Sequence, residues 1–247
     1  MEVIGSWPLE RQAECDSSNS ELLRRASTLP DRFALVVDSQ TSGRGRLGRT
    51  WHSPPGANLY LSLFARLPMP AAKLGGLSLA VGISVAECLR DLGANEVGLK
   101  WPNDLLARGR KLGGILVEIA SARGACSEVV IGLGLNLRLP TQLDVGQPAV
   151  DLVALGVDLE RDALLARWLP AFDAVLDTFI ARGFTEFAAR WDDLDLYRGQ
   201  TVSLSAGPRR RGQVLGIAAD GSLRLRDAAG EFRVAAGELS LRPVGAG

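Results

Sequence analysis

The sequence predicts an α+β protein with a large mixed-sheet domain and a small C-terminal β barrel. Two observations predict it. In the first part of the chain, apolar runs of strand length are interspersed with segments of helical spacing. From about Tyr197, short alternating runs are separated by glycine or Asp-Gly turns, which is typical of a small barrel. We place the boundary near Leu194, giving domains of residues 1–194 and 195–247.

Local patterns predict the elements of the larger domain. Strands are expected over residues 33–39, 58–66, 97–100 and 129–137. Helical spacing predicts helices over residues 71–92, 160–181 and 184–191. The pattern Ser-Asn-Ser-Glu at 18–21 predicts a capping box that opens a short helix ending at residue 27. Residues 105–107 and 111–119 flank a predicted hairpin turn at 108–110.

Composition excludes several classes of protein. With 47% apolar and 23% charged residues among 247, the chain can bury a core and is not disordered. Basic and acidic residues number 28 each, so no overall charge favours nucleic acid or an anionic membrane. Cys15, Cys88 and Cys126 fit free thiols better than a disulfide framework or a zinc site. With no signal-peptide pattern and no apolar segment of membrane length, we expect a cytoplasmic protein with no membrane partner.

Residues 40–51, QTSGRGRLGRTW, are the most informative segment, because three glycines alternate with three arginines before a tryptophan. The glycines match the dinucleotide-binding pattern G-x-G-x-x-G, and a predicted strand precedes them. That pattern must open a helix, whereas Pro54 and Pro55 follow here and forbid one. We interpret the segment as a loop that presents arginines to an anionic ligand. Taken alone, it is equally consistent with a solvated arginine loop or a nucleic-acid patch.

Two further segments add polar and cationic groups. Residues 100–104, KWPND, predict a turn. Its asparagine and aspartate oxygens can accept hydrogen bonds from a hydroxyl group, a ribose or the water molecules of a hydrated cation. Residues 111–116, KLGGIL, begin a strand with a lysine, and their two glycines allow close approach to the backbone. Taken singly, an ordinary turn and a solvated lysine are the favoured interpretations.

The three segments together gather cations without a nucleophile of the usual kind. His52 is the only histidine, and with no motif around it we interpret it as incidental. No Ser-His-Asp, Cys-His or metal-ligand cluster can be assembled from the sequence. Many fixed cations and few nucleophiles suit charge neutralisation and positioning, which is the chemistry of phosphoryl or nucleotidyl transfer.

These motifs resemble those of the biotin protein ligases, in the short form that lacks an N-terminal DNA-binding domain. Residues 16–19, DSSN, and 132–136, GLGLN, extend the likeness of the three segments in the same order. Leu47 is a small departure, since some relatives carry another arginine there. The resemblance covers nearly the whole chain. It implies a mixed-sheet catalytic domain of the biotin/lipoate ligase type, binding biotin and ATP, in residues 1–194 and an SH3-like barrel in residues 195–247.

The resemblance also implies roles for individual residues. The residues implied for biotin are Ser17, Ser18, Asn19, Gln40, Arg44, Gly45, Arg46, Lys111, Gly114 and Gly132. The residues implied for ATP or the adenylate are Arg46, Arg49, Trp51, Lys100, Asn103, Asp104, Lys111 and Asn136. Lys111 and Arg46 are the implied catalytic residues, because they would oppose the repulsion between a carboxylate and a phosphate. Asp104 is a candidate ligand for Mg²⁺.

The implied activity is ATP-dependent biotinylation of a lysine on the biotin-carrier domain of a carboxylase, through biotinyl-5′-AMP and with Mg²⁺. A lipoate or octanoate ligase or transferase of the same fold is the nearest alternative, although the polar set at 17–19 with Gln40 favours a ureido ring. An alternative of another class is a nucleic-acid-binding module that uses the arginine loop and Arg209-Arg210-Arg211. The main interpretation expects no nucleic-acid partner, and either a monomer or a homodimer.

Overall fold

The computed structural model describes residues 2–56, 58–140, 146–204, 211–235 and 241–243, whose strands form two sheets. The large sheet contains β1 (Glu2–Ile4), β2 (Trp7–Cys15), β3 (Arg32–Gln40), β4 (Leu59–Leu67), β5 (Gly98–Lys100), β6 (Asp104–Ala107), β7 (Arg110–Arg123) and β8 (Cys126–Leu135). The small sheet contains β9 (Thr201–Leu204), β10 (Arg211–Ile217), β11 (Leu223–Asp227), β12 (Gly230–Val234) and β13 (Leu241–Pro243). The helices are α1 (Ser18–Arg25), α2 (Leu77–Asp91), α3 (Arg161–Arg182) and α4 (Ala188–Leu194).

The large sheet is mixed, as the sequence predicts. Its strand order is β1-β2-β3-β4-β8-β7-β6-β5. Strands β2 and β3 are parallel and are connected through α1, whereas the other neighbouring pairs are antiparallel. The sequence patterns do not predict β1 or β2. After Trp7 and Leu9, β2 consists mainly of polar and charged residues, so it lacks the apolar run by which the other strands are recognised.

Helices cover both faces of the central strands. Ala34 and Val36 of β3 join the core that contains α2 and α3, whereas Leu35 and Val37 join the core that contains Leu22 of α1. Strand β4, which the sequence predicts as alternating, is buried on both faces along almost its whole length. This burial explains why the central strands are nearly continuous apolar runs.

The start of α1 differs from the prediction by one residue. Ser17, in extended conformation, is the N-cap, and its side chain accepts from Ser20 N at 3.5 Å. The predicted capping box with Ser18 as cap is therefore wrong, because Ser18 is already helical and Glu21 does not stand at the third helical position. Glu21 instead pairs with Arg24. The helix ends at Arg25 and continues as a short 3-10 segment, Ala26–Thr28.

Helix α2 begins at Leu77, six residues later than predicted. Gly76 precedes it with φ +84, and residues Ala71–Lys73 form a separate 3-10 turn. A Cβ at Gly75 would lie 2.4 Å from Asp220 O in the turn between β10 and β11. The two glycines thus let the turn of the small sheet pack closely on this part of the chain, and α2 begins only after this contact.

The remaining predictions agree with the structure apart from one helix. The predicted helix over 184–191 is a 3-10 segment, Gly183–Phe187, followed by α4. The other strands, the hairpin and the long helix are confirmed to within a few residues. The three cysteines are free thiols. Within the described ranges, no helix is both long and apolar enough to cross a membrane.

The parts of the chain that form the two sheets also contact each other beyond the segment that connects them. Trp101, which is buried, donates from Nε1 to Gly221 O at 3.1 Å. In the connecting segment, Asp195 Oδ1 accepts from Tyr197 N at 2.9 Å, and Leu196 N donates to Leu99 O at 3.0 Å. Burial raises the pKa of the Asp195 carboxyl above its usual value. The carboxyl is therefore more readily protonated in the folded chain than in the unfolded chain.

This shift predicts the sign of a pH effect on stability. The folded protein takes up the Asp195 proton at higher pH than the unfolded chain, so this group stabilises the fold at low pH and the contribution is lost as pH rises through the folded pKa. Relative to Asp195→Asn, the wild type should therefore gain free energy of unfolding as pH falls from neutral towards the unfolded pKa of about 3.9. Urea unfolding across this range measures the difference. Asp193→Asn, at an exposed position of α4, is the control and should leave the pH dependence unchanged; a pH-independent difference for Asp195→Asn would contradict the inference.

Candidate active site

A cavity of about 800 Å³ lies between the start of α1, the segment Gly43–Trp51 and strands β6, β7 and β8. We refer to residues 43–51 as the glycine/arginine loop. The predicted site residues that line the cavity are Ser17, Ser18, Asn19, Gln40, Arg44, Gly45, Arg46, Arg49, Trp51, Lys100, Asn103, Asp104, Lys111, Gly114 and Gly132. The fold thus brings together residues that are separated by more than a hundred positions. Asn136 is the exception among the predicted residues.

The start of α1 supplies a polar wall of the cavity. Gln40, at the end of β3, accepts at Oε1 from Ser18 N at 2.9 Å and from Ser18 Oγ at 3.1 Å. Ser62 Oγ, from β4, donates to Asn19 Oδ1 at 2.6 Å. Ser17, Ser18 and Asn19 are all buried. These neutral donors and acceptors suit the recognition of a polar but uncharged group.

Glycines in β8 make room for two site side chains. A Cβ at Gly132 would lie 2.4 Å from Asn19 Oδ1, and a Cβ at Gly134 would lie 2.4 Å from Trp51 Cε2. A Cβ at Gly114 of β7 would meet Trp51 Cζ3 at 3.4 Å. Gly132 therefore accommodates Asn19, which in turn lines the cavity, and Gly134 allows the Trp51 ring to pack against β8.

Backbone hydrogen bonds fold the glycine/arginine loop back on itself. Gly45 N donates to Arg49 O at 2.7 Å, and Trp51 N donates to Gly43 O at 2.8 Å. A Cβ at Gly43 would lie 2.3 Å from Trp51 O, so the close return of the chain requires glycine there. Leu47 occupies the tip with φ 60 and is 51% exposed. The fold of the loop places its arginine side chains beside the cavity.

Arg46 extends from the loop towards the turn between β5 and β6. Its Nη1 donates to Asn103 Oδ1 at 3.3 Å. Burial lowers the pKa of its guanidinium, while the nearby charge of Asp104 acts in the opposite direction and that of Arg49 adds to the lowering. An arginine side chain stays protonated at neutral pH despite such a shift. Arg46 is therefore a partly desolvated cation, whose interaction with an anion is stronger than at an exposed surface.

Lys111 contacts both Asp104 and Trp51 at the cavity. Its Nζ is 2.7 Å from Asp104 Oδ1, and the two side chains are 17% and 21% exposed. The same Nζ lies 5.5 Å from the centroid of the Trp51 ring. Asn103, next to Asp104, donates from Nδ2 to Ile115 O at 2.9 Å. The Lys111 ammonium is thus held by an ion pair with Asp104 and a cation–π contact with Trp51. Asn103 anchors the turn that carries Asp104 to β7.

Lys100 and Asn136 differ in their relation to the cavity. Lys100 lines it, and its Nζ lies 5.6 Å from the ring centroid of Tyr197. Asn136 does not line it; its Nδ2 donates to Lys111 O at 3.3 Å and to Val150 O at 3.1 Å. It faces a neighbouring cavity of about 30 Å³. Asn136 is therefore placed to hold the backbone of Lys111.

Four residues that contribute to the site have no role assigned from the sequence. Ser62 and Glu118 bind Asn19, and Gly134 makes room for Trp51. His52, which we interpret from sequence as incidental, is exposed and lines the cavity beside Trp51. The glycine repeat at 132 and 134 is a signal that could have identified Gly134. Ser62 and Glu118 stand within ordinary strand sequences, so their roles depend on which strands become neighbours.

Metal ligands are sparse in this cavity. Within the part of the chain that the structure describes, no group of three or more histidine, cysteine, aspartate or glutamate side chains could hold a metal ion. Asp104 brings one carboxylate to the cavity, where it pairs with Lys111. One carboxylate suits an ion such as Mg²⁺, which takes most of its ligands from phosphates and water.

Comparison with known proteins gives a consistent result. The family model of the biotin/lipoate A/B protein ligases matches residues 12–136, about half of the chain. The bifunctional ligase/repressor BirA of Escherichia coli is 41% identical over 230 residues, which are 92% of this chain and 72% of that protein. The biotin–[acetyl-CoA-carboxylase] ligase of Mycobacterium tuberculosis is 40% identical over 185 residues, which are 70% of this chain and 67% of that protein.

Solved structures agree with this comparison. The biotin protein ligase of Aquifex aeolicus, in complex with biotin and ATP, superposes with a TM-score of 0.83 and 30% identity. The superposition covers 95% of this chain and 98% of that chain. Its α+β architecture is the one described above. This chain therefore belongs to the biotin/lipoate A/B protein ligase family.

Proposed function

We propose that this protein is a biotin protein ligase, which uses ATP to attach biotin to a lysine on the biotin-carrier domain of a carboxylase. One observation carries the proposal: a polar uncharged wall, a set of cations and a tryptophan line the same cavity, with Lys111 among them. A relative named as a biotin–[acetyl-CoA-carboxylase] ligase and a biotin protein ligase solved with biotin and ATP support the same function.

The polar wall favours biotin over lipoate. A ureido ring carries a carbonyl and two N–H groups, which need donors and acceptors at fixed positions. Ser17, Ser18, Asn19 and Gln40 supply such groups, whereas the dithiolane ring of lipoate makes no comparable hydrogen bonds. An apolar ring would leave the remaining hydrogen-bonding capacity of these buried groups unused, which is costly. The side chains therefore select for the ureido ring.

The cations suit the first chemical step. The biotin carboxylate attacks the α-phosphorus of ATP, an oxygen–phosphorus bond forms, and pyrophosphate leaves with the bonding electrons. Two anions must approach each other, so repulsion contributes to the barrier. Lys111 and Arg46 reduce this repulsion by neutralising negative charge. Asp104 holds Lys111 in place, and Asn103 holds Arg46. Arg44 and Gly45 bind the carboxylate side, and Gly114 leaves room beside Lys111.

The nucleotide occupies the other part of the cavity in this proposal. Trp51 stacks near the adenine, while Arg49, Lys100, Asn103 and Asp104 surround the sugar and phosphates. Asp104 would hold Mg²⁺ together with the phosphates and water, and the ion would supply further charge neutralisation there. Asn136 acts through the backbone of Lys111.

The second step transfers biotin to the carrier domain. The amine of the acceptor lysine attacks the acyl carbon of biotinyl-5′-AMP, an amide forms, the amine loses a proton, and AMP leaves. No covalent intermediate with the enzyme is required. This agrees with a cavity in which charge and position, rather than a nucleophile, are the contributions of the protein.

The proposal includes the arrangement of the chain. Residues 1–194 form the catalytic domain, and residues 195–247 form an SH3-like barrel; the antiparallel order β12-β11-β10-β9-β13 supports the latter. The protein acts in the cytoplasm, as a monomer or homodimer, without nucleic acid. Of the triplet that suggested a nucleic-acid module, Arg209 and Arg210 lie outside the described residues, and Arg211 is exposed at the start of β10.

A labelling experiment tests the function directly. Incubation with biotin, MgATP and a biotin-carrier domain should label the carrier, detected by blotting with streptavidin. Lipoate in place of biotin, detected by mass spectrometry, should leave the carrier unmodified. A carrier whose acceptor lysine is changed to arginine is the matched control. Modification by lipoate but not by biotin would move the assignment to a lipoate ligase. Tight, salt-sensitive binding of DNA or RNA without ligation would favour the nucleic-acid module.

Lys111→Ala should lower adenylate formation by roughly two to three orders of magnitude, because a preorganised charge of this kind contributes about 3–4 kcal/mol to the transition state. The rate of pyrophosphate release at saturating biotin and ATP measures this step. Lys73→Ala, at an exposed lysine outside the cavity, is the matched control and should behave as wild type. Near-normal release by Lys111→Ala would exclude the proposed role.

The glycine/arginine loop should be cleaved by trypsin in the ligand-free protein and protected by biotin plus ATP. The physical reason is that its exposed arginines, Arg44 and Arg49, would become covered once both anions are bound. Mass spectrometry of the fragments measures the rate at each arginine. Cleavage after Arg123, at the exposed end of β7, should be the same in both states. Equal rates in the loop with and without ligands would argue against its closing over them.

A further inference from the structure

Glu118 links two parts of the site that the sequence motifs treat as separate. It lies on β7, three residues after Ile115, with a side chain that is 20% exposed. Oε2 accepts from Asn19 Nδ2 at 3.0 Å, and Oε1 accepts from Arg44 Nη2 at 2.6 Å. One carboxylate thus contacts both the polar wall and the glycine/arginine loop.

The contacts of Asn19 fix the orientation of its amide. Nδ2 donates to Leu116 O at 3.2 Å as well as to Glu118 Oε2. Oδ1 accepts from Ser62 Oγ at 2.6 Å and lies on the side of Gly132, which lines the cavity. A carboxylate only accepts hydrogen bonds, so Glu118 retains the amide nitrogen and keeps the oxygen on the side of Gly132. An amide held this way offers an acceptor to an N–H group of a ligand.

The contacts of Arg44 hold the start of the loop. Besides Glu118, its guanidinium donates from Nη1 to Ser20 Oγ of α1 at 3.1 Å. Arg44 is itself largely exposed, so without these partners its long side chain would retain much of its rotational freedom. Glu118 therefore limits the motion of Arg44 before any ligand binds, and pre-organised groups lose less entropy on binding.

We propose that Glu118 is a positioning residue, which orients the Asn19 amide for the ureido ring and holds Arg44 beside the biotin carboxylate. This inference rests on the proposed function. Glu118 does not line the cavity of about 800 Å³, so it acts through Asn19 and Arg44. Glu118 therefore contributes to the affinity for biotin rather than to the rate of the chemical step.

The variant Glu118→Gln tests the inference, because it keeps the shape and removes one of the two acceptors. The glutamine amide would place an N–H donor opposite the donor of either Asn19 or Arg44, so that one of the two hydrogen bonds would be lost. The matched control is Glu128→Gln, on the neighbouring strand β8, where Glu128 pairs with Arg66 at 3.0 Å and is 22% exposed. Calorimetry with biotin, pyrophosphate release and trypsin cleavage after Arg44 are measured for both variants and the wild type.

For Glu118→Gln we expect the dissociation constant and KM for biotin to rise about tenfold, the loss typical of one hydrogen bond to a charged group. The kcat for pyrophosphate release should stay within about twofold of wild type, since Lys111 and Arg46 keep the contacts that position them. Cleavage after Arg44 in the ligand-free protein should become faster. Glu128→Gln should match the wild type in all three measurements.

The outcomes separate this inference from the proposed function. If the wild type does not bind biotin, the proposed function fails. If the wild type binds biotin but Glu118→Gln equals Glu128→Gln, or if kcat falls while KM is unchanged, the role of Glu118 alone is wrong. Should Glu118→Gln unfold, Arg44→Gln breaks the same ion pair from the other partner, and wild-type cleavage after Arg46 in that variant would overturn the inference.

Discussion

The repulsion between cations that share one cavity is the constraint on which the rest of the site depends. Arg44, Arg46, Lys100 and Lys111 all line it, and each is held by a group from another part of the chain. Asp104 pairs with Lys111, Glu118 pairs with Arg44, Asn103 accepts from Arg46, and the Tyr197 ring faces Lys100. These partners allow positive charge to remain concentrated before two anionic substrates arrive, and this preorganisation is what charge-neutralising catalysis requires.

Strand β8 connects the two halves of the site. Gly132 receives the side chain of Asn19 from α1, and Gly134 receives the ring of Trp51 from the glycine/arginine loop. Both glycines lie on the same face of the strand because side chains alternate along it. The spacing of two residues therefore sets the distance between the group that would bind the ureido ring and the ring that would stack on adenine. A larger residue at either position would displace a site side chain rather than merely narrow the cavity.

The small sheet supports the side of the cavity that Asn103 and Asp104 line. In the turn between β10 and β11, Gly221 O accepts a hydrogen bond from the indole N–H of Trp101. The same turn packs against Gly75 and Gly76 ahead of α2. Trp101 directly precedes the turn that carries Asn103 and Asp104. The C-terminal part of the chain thus contributes to the site through packing, although the described residues of its sheet do not line the cavity.

Much of the architecture follows from the sequence alone. The apolar runs of β3, β4 and β8 and the helical spacing of α3 predicted those elements, because a buried strand or helix must be apolar wherever it meets the core. The five motifs likewise predicted nearly all the residues around the cavity, since short glycine-rich and polar segments are costly to keep in a fold without a local reason.

Tertiary structure decided the features that depend on neighbours distant in sequence. Strand β2 forms because β3 offers a parallel partner, and α2 begins only after the contact of the small sheet with Gly75 and Gly76. Asn136 turns to the backbone of Lys111, and Ser62 and Glu118 become part of the site because β4 and β7 lie beside α1. The sequence by itself determined most of the chemical groups that line the cavity. Only the folded chain decided how each is oriented, because a hydrogen bond needs both of its partners in place.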